Sequence, residues 1–208
     1  MPPAARRRSR RWRTSPPSPR TSSTCCSSAT CGRSLADLRA HIRDIPDFPK
    51  PGIVFKDITP LLLYPPAFDE AIHRLATWSR PREVDLVVAA EARGFILGGA
   101  LARELGAGFV PARKPGKLPA DTVSAHYLLE YGVDALHVHA DALAGGSRVL
   151  VHDDMLATGG TARAVVDLVT GMGAEVVGCA FLIELGFLHG RDKLEGLDVH
   201  ALVTYDED

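Results

Sequence analysis

Two adjacent carboxylates, Asp153 and Asp154, close an apolar run and open onto a turn of small and hydroxyl residues. The segment is Val149–Thr161, VLVHDDMLATGGT, and the turn is Ala157, Thr158, Gly159, Gly160 and Thr161. A helical pattern follows over Ala162–Met172, with Ala164, Val165, Leu168 and Met172 at helical spacing. A strand, a glycine turn and a helix start make an anion cradle, because glycines let backbone N–H groups approach a phosphate and the helix N-terminus adds partial positive charge. Acids at the mouth of such a cradle repel phosphate. They make sense if they hold hydroxyls or a metal while the turn holds the phosphate, and a sugar phosphate offers both groups. The turn lacks the lysine of GxxxxGK[ST], and its adjacent glycines do not fit GxGxxG.

Four further segments carry chemistry. In Glu91-Ala92-Arg93-Gly94-Phe95, Arg93 stands after an apolar strand and beside a glycine, suited to pair its guanidinium bidentately with pyrophosphate; an ordinary Glu91–Arg93 surface ion pair is the alternative. In Arg113–Pro119, Arg113, Lys114 and Lys117 form a cationic loop stiffened by prolines, an exception in an acidic body that would draw a pyrophosphate ester. In Tyr127–Gly132, Glu130 sits near the tip of an expected hairpin, where a carboxylate can manage a proton if the hairpin closes. In Phe48–Asp57, the ring of Phe55 could stack on a flat base, while an irregular backbone offers free N–H and C=O groups.

The diacid and glycine turn resemble the signature of the type I phosphoribosyltransferases, which bind 5-phosphoribosyl-1-pyrophosphate (PRPP). The FPxPGxxFxD run, EARGF, the RKxGKLP loop, LEYG and DDxLATGGT, in this order over roughly residues 38–205, are similar to the adenine-specific branch of that family. The resemblance implies a mostly parallel twisted α/β sheet flanked by helices, with a small N-terminal hood and a β-hairpin lid. It implies transfer of the phosphoribosyl group to adenine, giving AMP and pyrophosphate, with hypoxanthine, guanine or xanthine as other bases, or a PRPP-sensing regulator without turnover. Ala157–Thr161 would then grip the 5-phosphate, and Asp153 and Asp154 would face the ribose hydroxyls. Arg93, Arg113, Lys114 and Lys117 would bind pyrophosphate, Val54 and Phe55 would frame adenine, and Glu130 would handle the base proton. Mg²⁺ would be carried mainly by PRPP, and a homodimer is implied. The sequence departs from the family pattern at His152, an apolar position that must find a partner or sit neutral, and at Lys56, where arginine is frequent.

The elements that must position these residues alternate strand and helix, which argues for a parallel sheet. The patterns predict a short helix at Leu35–Ile42, an extended or looped Pro46–Pro60, and an amphipathic helix over Ala67–Trp78. They predict strands at Asp85–Ala90, Gly108–Pro111, Arg148–His152, Val176–Leu185 and Val199–Thr204, and a helix over Phe95–Leu105 stopped by Gly106. Ala112–Ser124 reads as a loop, and His126–Glu130 with Ala135–Ala140 as a hairpin. The ligand of an open α/β sheet sits beyond the carboxyl ends of its strands, so the loops at Glu91–Gly94, Ala112–Lys117 and Asp153–Thr161 are expected to converge.

The chain has 208 residues and a net charge of −1, which hides an asymmetry. Residues 1–33 hold eight arginines and no acid, leaving −9 for residues 34–208. That first segment is rich in Ser, Thr and Pro, and too poor in large apolar residues to offset its ordering entropy; disorder is expected, outside a single domain over 34–208. It reads best as a non-native extension, with an organelle transit peptide or a nucleic-acid arm as the alternatives; no specific nucleic-acid partner is expected. No run approaches the ~18 apolar residues of a membrane span. Cys25, Cys26 and Cys31 fit no zinc pattern, and Cys179 reads as a buried small residue in a reducing cytoplasm.

Overall fold

The computed structural model describes residues 37–129, 132–143 and 145–207, without the side chains of 126–134. The expected disorder of residues 1–33, the expected helix's first residues and the role of Glu130 lie outside the described residues.

Five parallel strands form the central sheet: β3 (Leu86–Ala90), β4 (Gly108–Ala112), β7 (Arg148–Leu156), β8 (Glu175–Leu185) and β9 (Val199–Tyr205), in the order β4-β3-β7-β8-β9. Among the described residues two antiparallel pairs complete the strands, β1 (Arg43–Ile45) with β2 (Phe55–Asp57), and β5 (Thr122–Leu129) with β6 (Gly132–His139). The helices are α1 (Thr59–Leu63), α2 (Pro65–Ser79), α3 (Gly94–Leu105) and α4 (Gly160–Gly171), with 3-10 turns at Leu38–His41, Arg80–Arg82, Gly186–Leu188 and Gly190–Leu194. Among the described residues no helix is long and apolar enough to cross a membrane.

The strands are near-continuous apolar runs because both sheet faces are covered. On one face, Leu75 of α2 and Leu97 and Leu101 of α3 meet Val87, Leu150 and Leu182; on the other, Val165, Leu168 and Val169 of α4 meet Val88, Val151 and Phe181. Helix α3 ends where Gly106 takes a left-handed φ of 72° and returns its N–H to Ala102 and Arg103, as its position after the last apolar residue predicts. The chain order reverses at β3 and β7. After β3 the sheet grows one way, to β4; after β7 it grows the other way, to β8 and β9. Their carboxyl ends therefore flank a topological switch point, where such sheets bind ligands.

The alternation of elements matches the expectation, with three corrections. Pro46–Pro60, read as extended or looped, is extended where β2 pairs with β1, Ile45 opposite Phe55, but turns helical at Thr59, where α1 starts. Strand β5 begins at Thr122, and the hairpin is bound to the end of β4 by paired backbone bonds between Arg113 and His137 of 2.8 and 2.7 Å. Strand β7 does not stop at His152. It runs through both acids to Leu156, because the eleven-residue β8 pairs with it as far as Leu156 opposite Glu184.

Close packing of α3 on β3 rests on Gly98. A Cβ there would lie 2.8 Å from Ala89 Cβ and 3.1 Å from Phe109 Cε2. Gly98→Ala is expected to lower stability by about 1–3 kcal/mol. Gly171→Ala, at the exposed end of α4 with open space around it, is expected to raise it by about 0.5 kcal/mol. Paired denaturant melts check both signs.

Candidate active site

The motifs after β3 and within β7 interlock residue by residue. Arg93 Nε donates to Asp154 Oδ2 at 2.5 Å. Gly94, the next residue, makes room for Asp153: a Cβ at position 94 would lie 2.6 Å from Asp153 Oδ1. That carboxylate thus tucks against the start of α3, where the helix dipole favours negative charge, and also accepts from the Asp154 N–H at 2.9 Å. Asp154 is 5% exposed and Asp153 is half-buried. Burial, with Asp154 alongside, pushes the Asp153 carboxyl well above the ordinary range. The Glu91–Arg93 pair considered from the sequence does not form. Arg93 pairs with Asp154, and Glu91 pairs with Arg113.

Beyond the acids the turn lines a recess of about 70 Å³ bounded by Met155–Ala162. Gly159 has φ +74° and caps α4, so Gly160 opens the helix two residues before the predicted start. Thr158 is exposed; Ala157, Gly160 and Thr161 are half-buried. The turn keeps the architecture of an anion cradle, with the N-terminus of a twelve-residue helix at its floor.

Phe55 lies beside the same cluster. The Arg93 guanidinium sits over its ring at 4.8 Å, and Phe48 packs edge-on at 5.2 Å. Val54 is half-buried next to it. The structure thus brings Phe55, Arg93 and the acid pair together, though they are far apart in sequence.

The cationic loop is organised differently from its sequence reading. Glu91 accepts from Arg113 Nε at 3.2 Å and from the Lys114 N–H at 3.1 Å, while Arg113 Nη1 donates to the Lys117 carbonyl at 3.1 Å. These bonds, the Arg113 guanidinium first, hold the Glu91 carboxyl below the ordinary range. Arg113 shapes the loop, and the side chains of Lys114 and Lys117 are exposed. Glu91 was read from the sequence only as a rival partner for Arg93, since nothing local points to a residue 22 positions on. Lys56 stands apart from the acid pair. It is 4% exposed, bound to Asp44 at 2.9 Å and placed over the Tyr205 ring at 4.3 Å.

These features recur in known proteins. The phosphoribosyl transferase domain family matches residues 62–201. The chain belongs to that family. It is 60% identical to an adenine phosphoribosyltransferase of Thermotoga maritima over 169 residues, covering 81% of this chain and 98% of the relative. The crystal structure of adenine phosphoribosyltransferase from Thermoanaerobacter pseudethanolicus superposes with a TM-score of 0.80 at 52% identity, covering 83% of this chain and all of that one. The Saccharomyces cerevisiae enzyme, solved in complex with an imino-altritol bisphosphate and adenine, superposes with a TM-score of 0.76 at 38% identity, covering 79% and 96%. The phosphoribosyltransferase fold expected from the sequence is the fold observed, hood and hairpin included.

His152 answers the question its position raised in both ways offered. It is fully buried, its Nδ1–H donates to the Ala180 carbonyl at 2.8 Å, and its Nε2 has no partner. Burial pushes its pKa down to about 4, so the ring is neutral. In the unfolded chain it titrates near 6.5, so the unfolded state binds more protons between pH 6.5 and 4 and the histidine destabilises the fold as pH falls through that window. The raised Asp153 carboxyl acts with the opposite sign there, so the histidine is read by difference. His152→Leu is expected to gain about 3 kcal/mol relative to the unsubstituted protein between pH 6.5 and 4. Urea melts of both proteins across that range check it.

Proposed function

We propose that the chain transfers the 5-phosphoribosyl group of PRPP to adenine, giving AMP and pyrophosphate. The observation that carries this is the interlock of Arg93 and Gly94 with Asp154 and Asp153, next to a glycine turn at a helix start, in a chain 60% identical to an adenine phosphoribosyltransferase. Ala157–Thr161 grip the 5-phosphate through backbone N–H groups, and Asp153 and Asp154 accept from the ribose hydroxyls. Both ends of one pentose are then fixed, which supplies orientation and leaves C1 open.

Adenine, framed by Val54 and Phe55, attacks C1 through N9. The C1–N9 bond forms as the C1–oxygen bond to pyrophosphate breaks, with inversion, and the N9 proton passes to Glu130. Positive charge grows on the ribose and negative charge on the leaving group. Arg93, half-exposed between Phe55 and Asp154, meets the pyrophosphate with Lys114 and Lys117, while Arg113 holds their loop on Glu91. Closure of the hairpin around Glu130 keeps water from C1. Among the described residues no group of three His, Cys, Asp or Glu is set to hold a metal. With Asp153 and Asp154 facing the ribose hydroxyls, a Mg²⁺ would be carried mainly by PRPP oxygens, with few direct protein ligands. When bound, that ion adds positive charge at the pyrophosphate.

The enzyme works in a reducing cytoplasm, consistent with a free, buried Cys179 whose thiol is pushed up to about 12 by burial. It pairs as a homodimer, a reading supported by Leu63, Tyr64 and Ile96 standing 82%, 46% and 47% exposed in the single chain.

Purified protein with PRPP, Mg²⁺ and a panel of purines is expected to form AMP from adenine by mass spectrometry. Product from hypoxanthine or guanine alone would reassign the base, and tight PRPP binding with no product would favour a regulator. Asp154→Asn is expected to cost about 10²-fold in kcat/KM for PRPP. Glu130→Gln should slow turnover more than it weakens PRPP binding; unchanged turnover at saturation removes it from the mechanism. Light scattering should give twice the chain mass, and a monomer would refute the pairing.

A further inference from the structure

The back of the glycine turn is held by a segment that no motif singled out. After β8 the chain makes the 3-10 turn Gly186–Leu188, passes His189 at φ 52°, and enters the turn Gly190–Leu194. Gly190 meets the turn backbone to backbone. A Cβ on Gly190 would lie 2.2 Å from the Ala157 carbonyl oxygen and 3.0 Å from Gly159 N, and a Cβ on Gly159 would lie 2.2 Å from the Gly190 carbonyl oxygen. Neither position admits a side chain, so the two backbones define each other's place.

A fork fixes the Gly190 side of this contact. Arg191 Nε donates to Glu184 Oε1 at 2.5 Å and Nη2 to Oε2 at 2.7 Å, while Nη1 reaches the Val199 carbonyl at 3.0 Å. Glu184 is 6% exposed and stands on β8 opposite Leu156, the last residue of β7 before the turn. Leu194, 1% exposed, packs in the same apolar cluster as Ala162 and Val165 of α4. The residue next to Gly190 is therefore tied to β8 and β9, and the segment it belongs to lies against the helix whose N-terminus floors the cradle. A bidentate guanidinium–carboxylate pair has one geometry, unlike a lysine contact, so it transmits position as well as attraction.

We propose that Glu184 and Arg191 are positioning residues for the phosphate-gripping turn, acting through Gly190 to set the affinity for the ribose 5-phosphate end of PRPP. The proposal rests on the reading of Ala157–Thr161 as that grip. Neither residue touches substrate. The fork holds the turn so that its N–H groups converge, and small errors of placement in such a cradle carry large costs.

The test uses the full-length protein with Glu184→Gln, Arg191→Lys and the double variant. Gln offers one oxygen where the fork needs two, and Lys keeps the charge without the planar donors. Each single variant is expected to raise KM for PRPP about tenfold with kcat and the adenine KM within about twofold, as lost uniform binding does. Calorimetry should show ribose 5-phosphate weakened in proportion and inorganic pyrophosphate unchanged. The double variant should be no worse than either single, because the pair acts as a unit. Gly160→Pro, which removes one backbone N–H of the turn at the first position of α4, where proline is tolerated, separates the two readings. If it weakens ribose 5-phosphate while the fork variants do not, the positioning role is refuted and the grip stands. If it has no effect, the grip and this inference fall together. Equal loss of ribose 5-phosphate and pyrophosphate binding in the fork variants would mark a general loosening and also overturn the proposal. Should Glu184→Gln not fold, Arg191→Lys decides alone.

Discussion

The site depends on two consecutive residues after β3 meeting two consecutive residues of β7. Arg93 neutralises Asp154, and the missing side chain of Gly94 admits Asp153 to the start of α3. Neither acid could be buried alone at this depth without a large desolvation cost. Together they are held 61 positions away from their arginine because β3 and β7 are neighbours in the sheet, Ala89 level with His152. Adjacency at the switch point is thus the constraint from which the cluster follows.

Charge is apportioned around that cluster. Asp153 is pushed toward its neutral form by burial and by its neighbour, and His152, one residue earlier and wholly buried, is neutral as well. Lys114 and Lys117 are exposed on a loop that Glu91 and Arg113 hold together.

Glycine supplies the approaches. Gly94 lets a carboxylate in, Gly98 seats α3 on β3, and Gly159 with Gly190 lets two backbone segments touch at the glycine turn. The first three lie within or beside recognisable patterns. Gly190 does not, and nothing local in the sequence pairs its neighbour Arg191 with Glu184.

The sequence by itself determined the alternation of strands and helices, the amphipathic faces of α2 and α4, the helix stop at Gly106 and the glycine turn before α4, because periodicity and turn chemistry are local. It also marked Arg93, Asp153, Asp154 and Phe55 as chemically apt. Which charges meet was decided only in three dimensions. The extension of β7 through both acids came from the length of β8 beside it. The pairing of Arg113 with Glu91 and of Lys56 with Asp44, and the fork behind the turn, came from strand order and close packing. A side chain's type can be read along the chain, but its partner depends on which distant backbone the fold brings within reach of a hydrogen bond.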